Sequence, residues 1–188
     1  MKLRRPPYPD PVGTAVYYLT HAGHRQTAIS LAVEVLRKEY DREVDALPDD
    51  LLGEAFSAIA RDWAIESLIQ GAWIREYHMW EIATKEYFDG QHVRIGGAKV
   101  DWKKRVHGVS AASHVVRIKE QLAAFTASMP EEIIEAIDRT RSQVNTAKHE
   151  AECFVTEDDY RNLVAAVSSF WETLMPLEEF TPPVRAMS

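Results

Sequence analysis

Four polar residues that could bind and cleave a phosphate diester lie close together in the segment RSQVNTAKHE, residues 141–150. They are Arg141, Asn145, Lys148 and His149. Arginine and lysine bind phosphate and stabilise negative charge that builds on it, and histidine moves protons near neutral pH. Asparagine can hold a phosphate oxygen or orient a neighbour. Metal-free RNA cleavage uses such groups: a base deprotonates the ribose 2′-hydroxyl, which attacks the adjacent phosphate while cations stabilise the pentavalent transition state.

A helix predicted from Pro130 to about Glu152 positions these residues along one strip. An α-helix turns by roughly 100° per residue, so the apolar residues counted from Ile133 fall within about 40° of one another. The polar residues follow on the shoulder of that stripe, from about 60° for Lys148 to about 160° for His149. Two interpretations are open: the solvated edge of a bundle helix, with the charged ends of the side chains in water, or a working site on a cleft.

The segment resembles the motif of HEPN-like proteins, which are small helical bundles with an arginine, several intervening residues and a histidine on a late helix. The run VNTAKHE, followed by an aromatic helix with a capping signal, is similar to relatives that carry an Asn-x-x-Lys-His sequence. The earlier stretch TAISLAVEVLRKEY is similar to their first long helix. Seven residues separate Arg141 from His149, one more than is usual in that motif.

The resemblance implies a metal-independent ribonuclease of a toxin or phage-defence type, without a cofactor. Arg141 would bind or polarise the scissile phosphate, His149 would be the acid or base, and Asn145 and Lys148 would contact the substrate. It also implies a homodimer in which two copies of the motif line one cleft. The alternative is a non-catalytic helical module that binds a protein partner or a nucleotide.

Composition and charge bear on these alternatives. The chain has 188 residues, 46% of them hydrophobic, which predicts one domain that buries its own core. A net charge of −7 argues against general nucleic-acid binding by bulk electrostatics and favours the non-catalytic alternative. The segment KVDWKKRVH, residues 99–107, is the best candidate for a local basic patch.

Apolar periodicity predicts an all-α fold, a single bundle of five to six helices. The predicted helical ranges are 12–20, 24–43, 48–89 with a break near Gly71, 109–128, 130–152 and 157–174. Prolines at 6, 7, 9 and 11 predict an extended arm over residues 1–11, and the tail over 176–188 is predicted to be loose. Thr156 and Asp159 predict a capping box for the last helix.

Two parts of this layout depend on a particular interpretation. In the second helical region, residues at helical spacing predict an aromatic-rich core face: Phe56, Ile59, Trp63, Leu68, Ala72, Trp73, Tyr77 and Trp80. In the insertion near 90–107, Gly96 and Gly97 predict either a β-hairpin or an irregular loop.

Other groups with chemical potential are weaker candidates. His21 and His24 have a spacing that could bind metal, but Gly23 argues against a regular helix there, and we predict no metal site. His78 and Glu81 lack the paired Glu-x-x-His motifs of a di-iron bundle. Cys153 is the only cysteine and is interpreted as a small buried thiol beside Phe154 rather than as a nucleophile with His149.

The sequence also bears on location. With one cysteine, no internal disulfide can form, which fits a reducing cytoplasm. The prolines that follow MKLRR are unlike the apolar run of a signal peptide, and no apolar run is long enough to predict a membrane span.

Overall fold

The computed structural model describes residues 11–46, 51–94, 96–104, 114–124, 129–149 and 154–174. These residues form five α-helices and no strand, so the predicted all-α bundle is confirmed. The helices are α1 (Pro11–Ala46), α2 (Leu51–Arg94), α3 (His114–Ala124), α4 (Glu131–His149) and α5 (Glu157–Leu174). No described helix is both long enough and apolar enough to cross a membrane.

The two long helices α1 and α2 form an antiparallel hairpin, and the shorter helices pack on one part of it. Helix α5 lies against both α1 and α2, α4 packs on α5 and α2, and α3 contacts α2 and α4. Aromatic side chains of α2 and α5 fill the centre. Trp80 meets Phe170 edge to face with ring centroids 5.5 Å apart, and Tyr87 meets Trp171 in the same way at 5.8 Å.

Both long helices are continuous where the sequence predicts interruptions. Helix α1 runs through Gly23, so the predicted separation of helices 12–20 and 24–43 is wrong, and α2 runs through Gly71 without a break. A glycine costs a helix about 1 kcal/mol, which lateral packing of a long helix readily offsets. Pro11 is the first residue of α1, where its missing N–H is tolerated, rather than part of an extended arm. Residues 1–10 and 175–188 lie outside the described residues.

A glycine cap ends α2 and replaces the predicted hairpin. Helix α2 continues beyond Asp89 to Arg94. Gly96 has a φ of 76°, and the Gly97 N–H donates to the His92 carbonyl at 2.7 Å, the pattern of a Schellman motif. Residues 96–104 follow as turns and irregular backbone, so here the irregular loop is confirmed and the hairpin is wrong.

One carboxylate holds this loop against the helix that precedes it. Oδ1 of Asp89 accepts the Val100 N–H at 3.1 Å and the Trp102 indole N–H at 2.9 Å. The two bonds place Trp102 on Phe88, with ring centroids 6.5 Å apart.

Helix α5 forms as its sequence predicts. The Thr156 N–H donates to the Asp159 carboxylate at 2.9 Å, and the Asp159 N–H donates to the Thr156 hydroxyl at 3.1 Å, which is the predicted capping box. The apolar stripe of α5 is buried at Leu163, Val164, Val167, Phe170 and Trp171.

The aromatic face predicted for α2 is buried over only part of its length. Trp73, Tyr77 and Trp80 are buried, whereas Phe56 is 71% exposed, Ile59 53% and Trp63 70%. The prediction is therefore wrong for Phe56, Ile59 and Trp63. Towards the C-terminal end of α1 and the N-terminal end of α2, the last buried side chains that the structure describes are Val33 and Ile65. We call residues 34–46 and 51–64 the hairpin tip.

Candidate phosphate-binding site between α2 and α4

Arg141 lies in the middle of α4 at the edge of the core. Its side chain is 23% exposed, and its Nε donates to Oδ1 of Asp138, one turn earlier, at 2.9 Å. This ion pair holds the guanidinium through Nε. The two terminal nitrogens are therefore the groups that a bound anion would engage, in the fork geometry that suits phosphate.

The other three predicted site residues share the helix with Arg141. Asn145, Lys148 and His149 belong to the C-terminal part of α4, but their side chains lie outside what the structure describes. The helical rise puts His149 about 12 Å along the axis from Arg141, turned by about 80°. The structure therefore shows that the four residues share one helix. The convergence of their side chains stays a prediction.

The apolar stripe of α4 fixes how the helix is turned. Ile134, Ile137 and Val144 are buried, and the Thr140 hydroxyl, also buried, donates back to the Ala136 carbonyl at 3.0 Å. Arg141 follows Thr140 directly and is partly buried at the border of this stripe.

Charged groups of both α2 and α4 influence the hydroxyl of Tyr77 on α2. Burial raises the pKa of the Tyr77 phenol well above its usual value, and Glu81 raises it further. Arg141 lowers this pKa and Asp138 raises it, so charged groups of α4 act on the same hydroxyl as those of α2. We call this region, between residues 77–81 of α2 and 138–141 of α4, the α2–α4 seam.

Three ionisable residues of α2 next to Tyr77 in the sequence form a chain along the helix. Oε2 of Glu81 is 3.3 Å from the His78 Nδ1, and Oε1 of Glu81 is 3.5 Å from the Lys85 ammonium. The His78 side chain is 39% exposed. A carboxylate beside Nδ1 favours the tautomer that carries its proton on that nitrogen.

Sequence reasoning missed this chain as part of the site, and it also missed Asp138 as the partner of Arg141. The signals were present in both cases. Residues three or four apart face each other on a helix, and the spacings of His78, Glu81 and Lys85 and of Asp138 and Arg141 all follow that rule. Nothing in the sequence showed that Glu81 of α2 and Arg141 of α4 would both act on the Tyr77 hydroxyl.

A second charged cluster, on other helices, has a structural role. The Arg25 guanidinium donates from Nε and Nη2 to the two oxygens of Glu76, at 2.9 and 2.8 Å. Glu76 is buried, and Tyr160 of α5 lies nearby, where burial and then the Glu76 charge raise its pKa to about 12. The pair connects α1 to α2 beside α5.

The remaining candidates do not form a site among the described residues. His21 and His24 are exposed, with ring centroids 6.1 Å apart, and no group of three or more His, Cys, Asp or Glu in the described ranges could hold a metal ion. Lys99, Lys103 and Lys104, from the predicted basic patch, are exposed. Cys153 lies outside the described residues, and its neighbour Phe154 is exposed.

Comparison of the chain with protein-family models, with curated proteins and with solved structures finds no match.

Proposed function

We propose that this chain is a HEPN-like RNA-binding protein that cleaves RNA without a metal, using the α2–α4 seam as its phosphate site. The observation that carries the proposal is the placement of Arg141, a partly buried guanidinium that Asp138 holds through Nε. It lies on the same helix as Lys148 and His149.

The role of Arg141 follows from its surroundings. A charge–phosphate interaction is stronger beside a low-dielectric core than in open water, and a guanidinium held in advance loses less entropy when a ligand binds. Arg141 would therefore bind the non-bridging oxygens of the scissile phosphate and stabilise the charge that grows on them.

Proton transfer would use His149, with Asn145 and Lys148 as further contacts to the substrate. The 2′-hydroxyl loses its proton to a base, its oxygen bonds to phosphorus, and the 5′-oxygen leaves with a proton from an acid. The products are a 2′,3′-cyclic phosphate and a 5′-hydroxyl. His149 lies about 12 Å along the helix axis from Arg141, so in this proposal the two side chains reach the same scissile phosphate from positions about two turns apart.

The test is cleavage of structured and unstructured RNA by purified protein in EDTA. We expect His149→Ala and Arg141→Ala each to lower the cleavage rate by at least about a hundredfold, the usual loss for an acid–base or charge-stabilising residue. Arg139→Ala is the matched control, because Arg139 is an exposed arginine on the same helix. It should leave the rate within about twofold.

Two results would contradict the proposal. Wild-type protein that neither binds nor cuts RNA rejects it entirely. Binding that Arg141→Ala weakens, without cleavage by the wild type, rejects the ribonuclease and leaves the non-catalytic module that binds RNA or a nucleotide.

A further inference from the structure

The hairpin tip carries an apolar face that the rest of the described chain leaves exposed. Phe56, Ile59 and Trp63 are spaced three and four apart, so they lie on one side of α2. All three are more than half exposed. We call these three residues the α2 tip face.

This face points away from α1. The Arg61 guanidinium lies over the Tyr40 ring of α1, 4.0 Å from its centroid, so Arg61 is on the side of α2 that meets α1. At about 100° per residue, Phe56, Ile59 and Trp63 lie roughly 140–160° around the helix from Arg61. A helix packed on the α2 tip face would therefore run along α2 on the side opposite to α1.

The net charge of the chain is concentrated in the part of the sequence that contains this face. Residues 39–66 contain nine acidic and two basic residues, a balance of −7. The whole chain has 29 acidic and 22 basic residues, so 20 of each remain outside this segment and its net charge of −7 comes from the segment alone. Both basic residues of the segment are already paired, Arg42 with Glu39 and Arg61 with Asp62.

Two of these acids lie at one edge of the α2 tip face. Asp62 is exposed and lies one turn beyond Ile59. Glu66, also exposed, lies one turn beyond Trp63. Apolar anchors three, four and seven residues apart are the spacing by which one amphipathic helix packs on another. With acids beside the anchors, the complementary helix carries lysine or arginine next to its apolar stripe.

The same charges disfavour other molecules on this face. A second copy would bring the same excess of acidic residues to it, and two such surfaces repel. RNA and anionic membranes are negatively charged as well.

The basic segments of this chain lie too far from the face to cover it. Tyr40 is level with the face and about 44 Å along α1 from Pro11, whereas ten extended residues, such as residues 1–10, span at most about 36 Å. Residues 99–104 are held by Asp89 at the opposite end of α2. Residues 175–188 are not basic, since they contain two glutamates and one arginine.

We infer that the α2 tip face binds a basic amphipathic helix of a partner protein. The partner helix places its apolar side chains on the face and its lysines or arginines beside Asp62 and Glu66. Trp63 is about 27 Å along α2 from Glu81, so a helix centred on the face leaves the α2–α4 seam open. The inference does not depend on the proposed function.

Three synthetic peptides of roughly 18 residues, about five helical turns and without tryptophan, test the charge and the stripe. The first places leucines at helical spacing among lysines, and the second has glutamate at every lysine position. The third has the composition of the first in an order that gives no apolar stripe. Emission from the exposed Trp63 moves to shorter wavelengths when a peptide covers the indole. We expect the first peptide to bind with a dissociation constant at least about tenfold lower than that of either other peptide.

Variants of the face and of its edge separate specific packing from general attraction by charge. Phe56→Ala and Ile59→Ala should each raise the dissociation constant of the lysine peptide by at least about tenfold, as for anchors of a helix contact. Glu66→Lys should raise it about two- to fivefold and make binding less sensitive to salt. Leu31→Ala is the matched control, since Leu31 is 56% exposed on α1, and it should leave the constant within about twofold. Circular dichroism checks that each variant keeps its helices.

Four results would overturn the inference. One is a lysine peptide that does not bind at high micromolar concentration, or binds no better than the glutamate peptide. Another is binding that Phe56→Ala and Ile59→Ala leave unchanged, because charge alone then attracts the peptide. The third is wild-type protein that shows no long-wavelength emission from Trp63 before peptide is added, because a second copy or another part of this chain then covers the face. The fourth is single-stranded RNA or phosphatidylglycerol vesicles shifting this emission as strongly as the lysine peptide does.

Discussion

The two halves of α2 contain similar residues in different surroundings. Trp73 is 1% exposed and Trp63, ten residues earlier on the same helix, is 70% exposed. The helices that pack beside α2 account for this difference in exposure. At 1.5 Å per residue, α2 is about 66 Å long, whereas α4 and α5 are each less than about 30 Å long and cover one part of it.

This comparison shows that periodicity and burial are separate properties. Helical spacing determines which side chains share a face of α2, and the length of the neighbouring helices determines how far that face is covered. We therefore expect the bundle half of the hairpin to hold most of the folding free energy. The tip is the part whose apolar side chains stay exposed among the described residues.

The largest expected effect comes from removing one tryptophan from each half. Trp73→Ala should lower the free energy of unfolding by about 3–5 kcal/mol, because it leaves a cavity in a packed core. Trp63→Ala should change it by less than about 0.5 kcal/mol at a protein concentration low enough to keep the chain monomeric. Urea denaturation measures both, and similar losses would contradict the division into two halves.

Breaking one ion pair in each half should give a smaller difference in the free energy of unfolding. Glu76→Gln keeps the shape of the side chain but removes the charge that Arg25 meets, and should cost about 2–3 kcal/mol because Glu76 is buried. Lys38→Met breaks the exposed pair with Glu34 at the tip and should leave the free energy of unfolding unchanged within the error of the measurement. Thermal and urea unfolding at neutral pH compare them. A loss for Glu76→Gln no greater than that for Lys38→Met would show that the buried pair is not structural.

The smallest expected effect concerns the point where the two halves join. Gly71 is exposed within α2, and a Cβ there would meet nothing within 4 Å. Gly71→Ala should therefore raise the free energy of unfolding by about 0.5–1 kcal/mol through helix propensity. Gly96→Ala is the opposite control: its φ of 76° should make alanine cost about 1 kcal/mol. A destabilising Gly71→Ala would mean that α2 bends or is covered there in solution.

Much of the fold could be predicted because local signals agreed with the final packing. Helix α5 has a capping box, an early acidic turn and a five-residue core stripe, and it forms at the predicted residues. Gly23 and Gly71 misled the prediction because a glycine lowers helix propensity without deciding the outcome when a long neighbour packs alongside. Gly96 and Gly97 likewise suit both a hairpin turn and a helix cap, and the sequence cannot choose between them.

Less of the candidate site could be predicted from the sequence. The strip containing Arg141 could be drawn on α4 from spacing alone, and its pairing with Asp138 follows a one-turn rule. The seam itself is a contact between residues some sixty positions apart in the sequence, and no local pattern reports such a contact. The same is true of the exposed tip: spacing groups Phe56, Ile59 and Trp63 but does not say whether another helix lies over them.

Because the tryptophans differ in exposure, the intrinsic fluorescence of this protein distinguishes the tip from the bundle. Trp73, Trp80 and Trp171 are shielded from water, Trp102 is partly shielded, and Trp63 is open to it. Indole emission moves to longer wavelengths in water, and iodide quenches only rings that it can reach. The red-shifted, quenchable component of the intrinsic fluorescence therefore comes largely from the tip. The blue-shifted, protected component comes from the bundle, so both regions can be followed in one sample without a label.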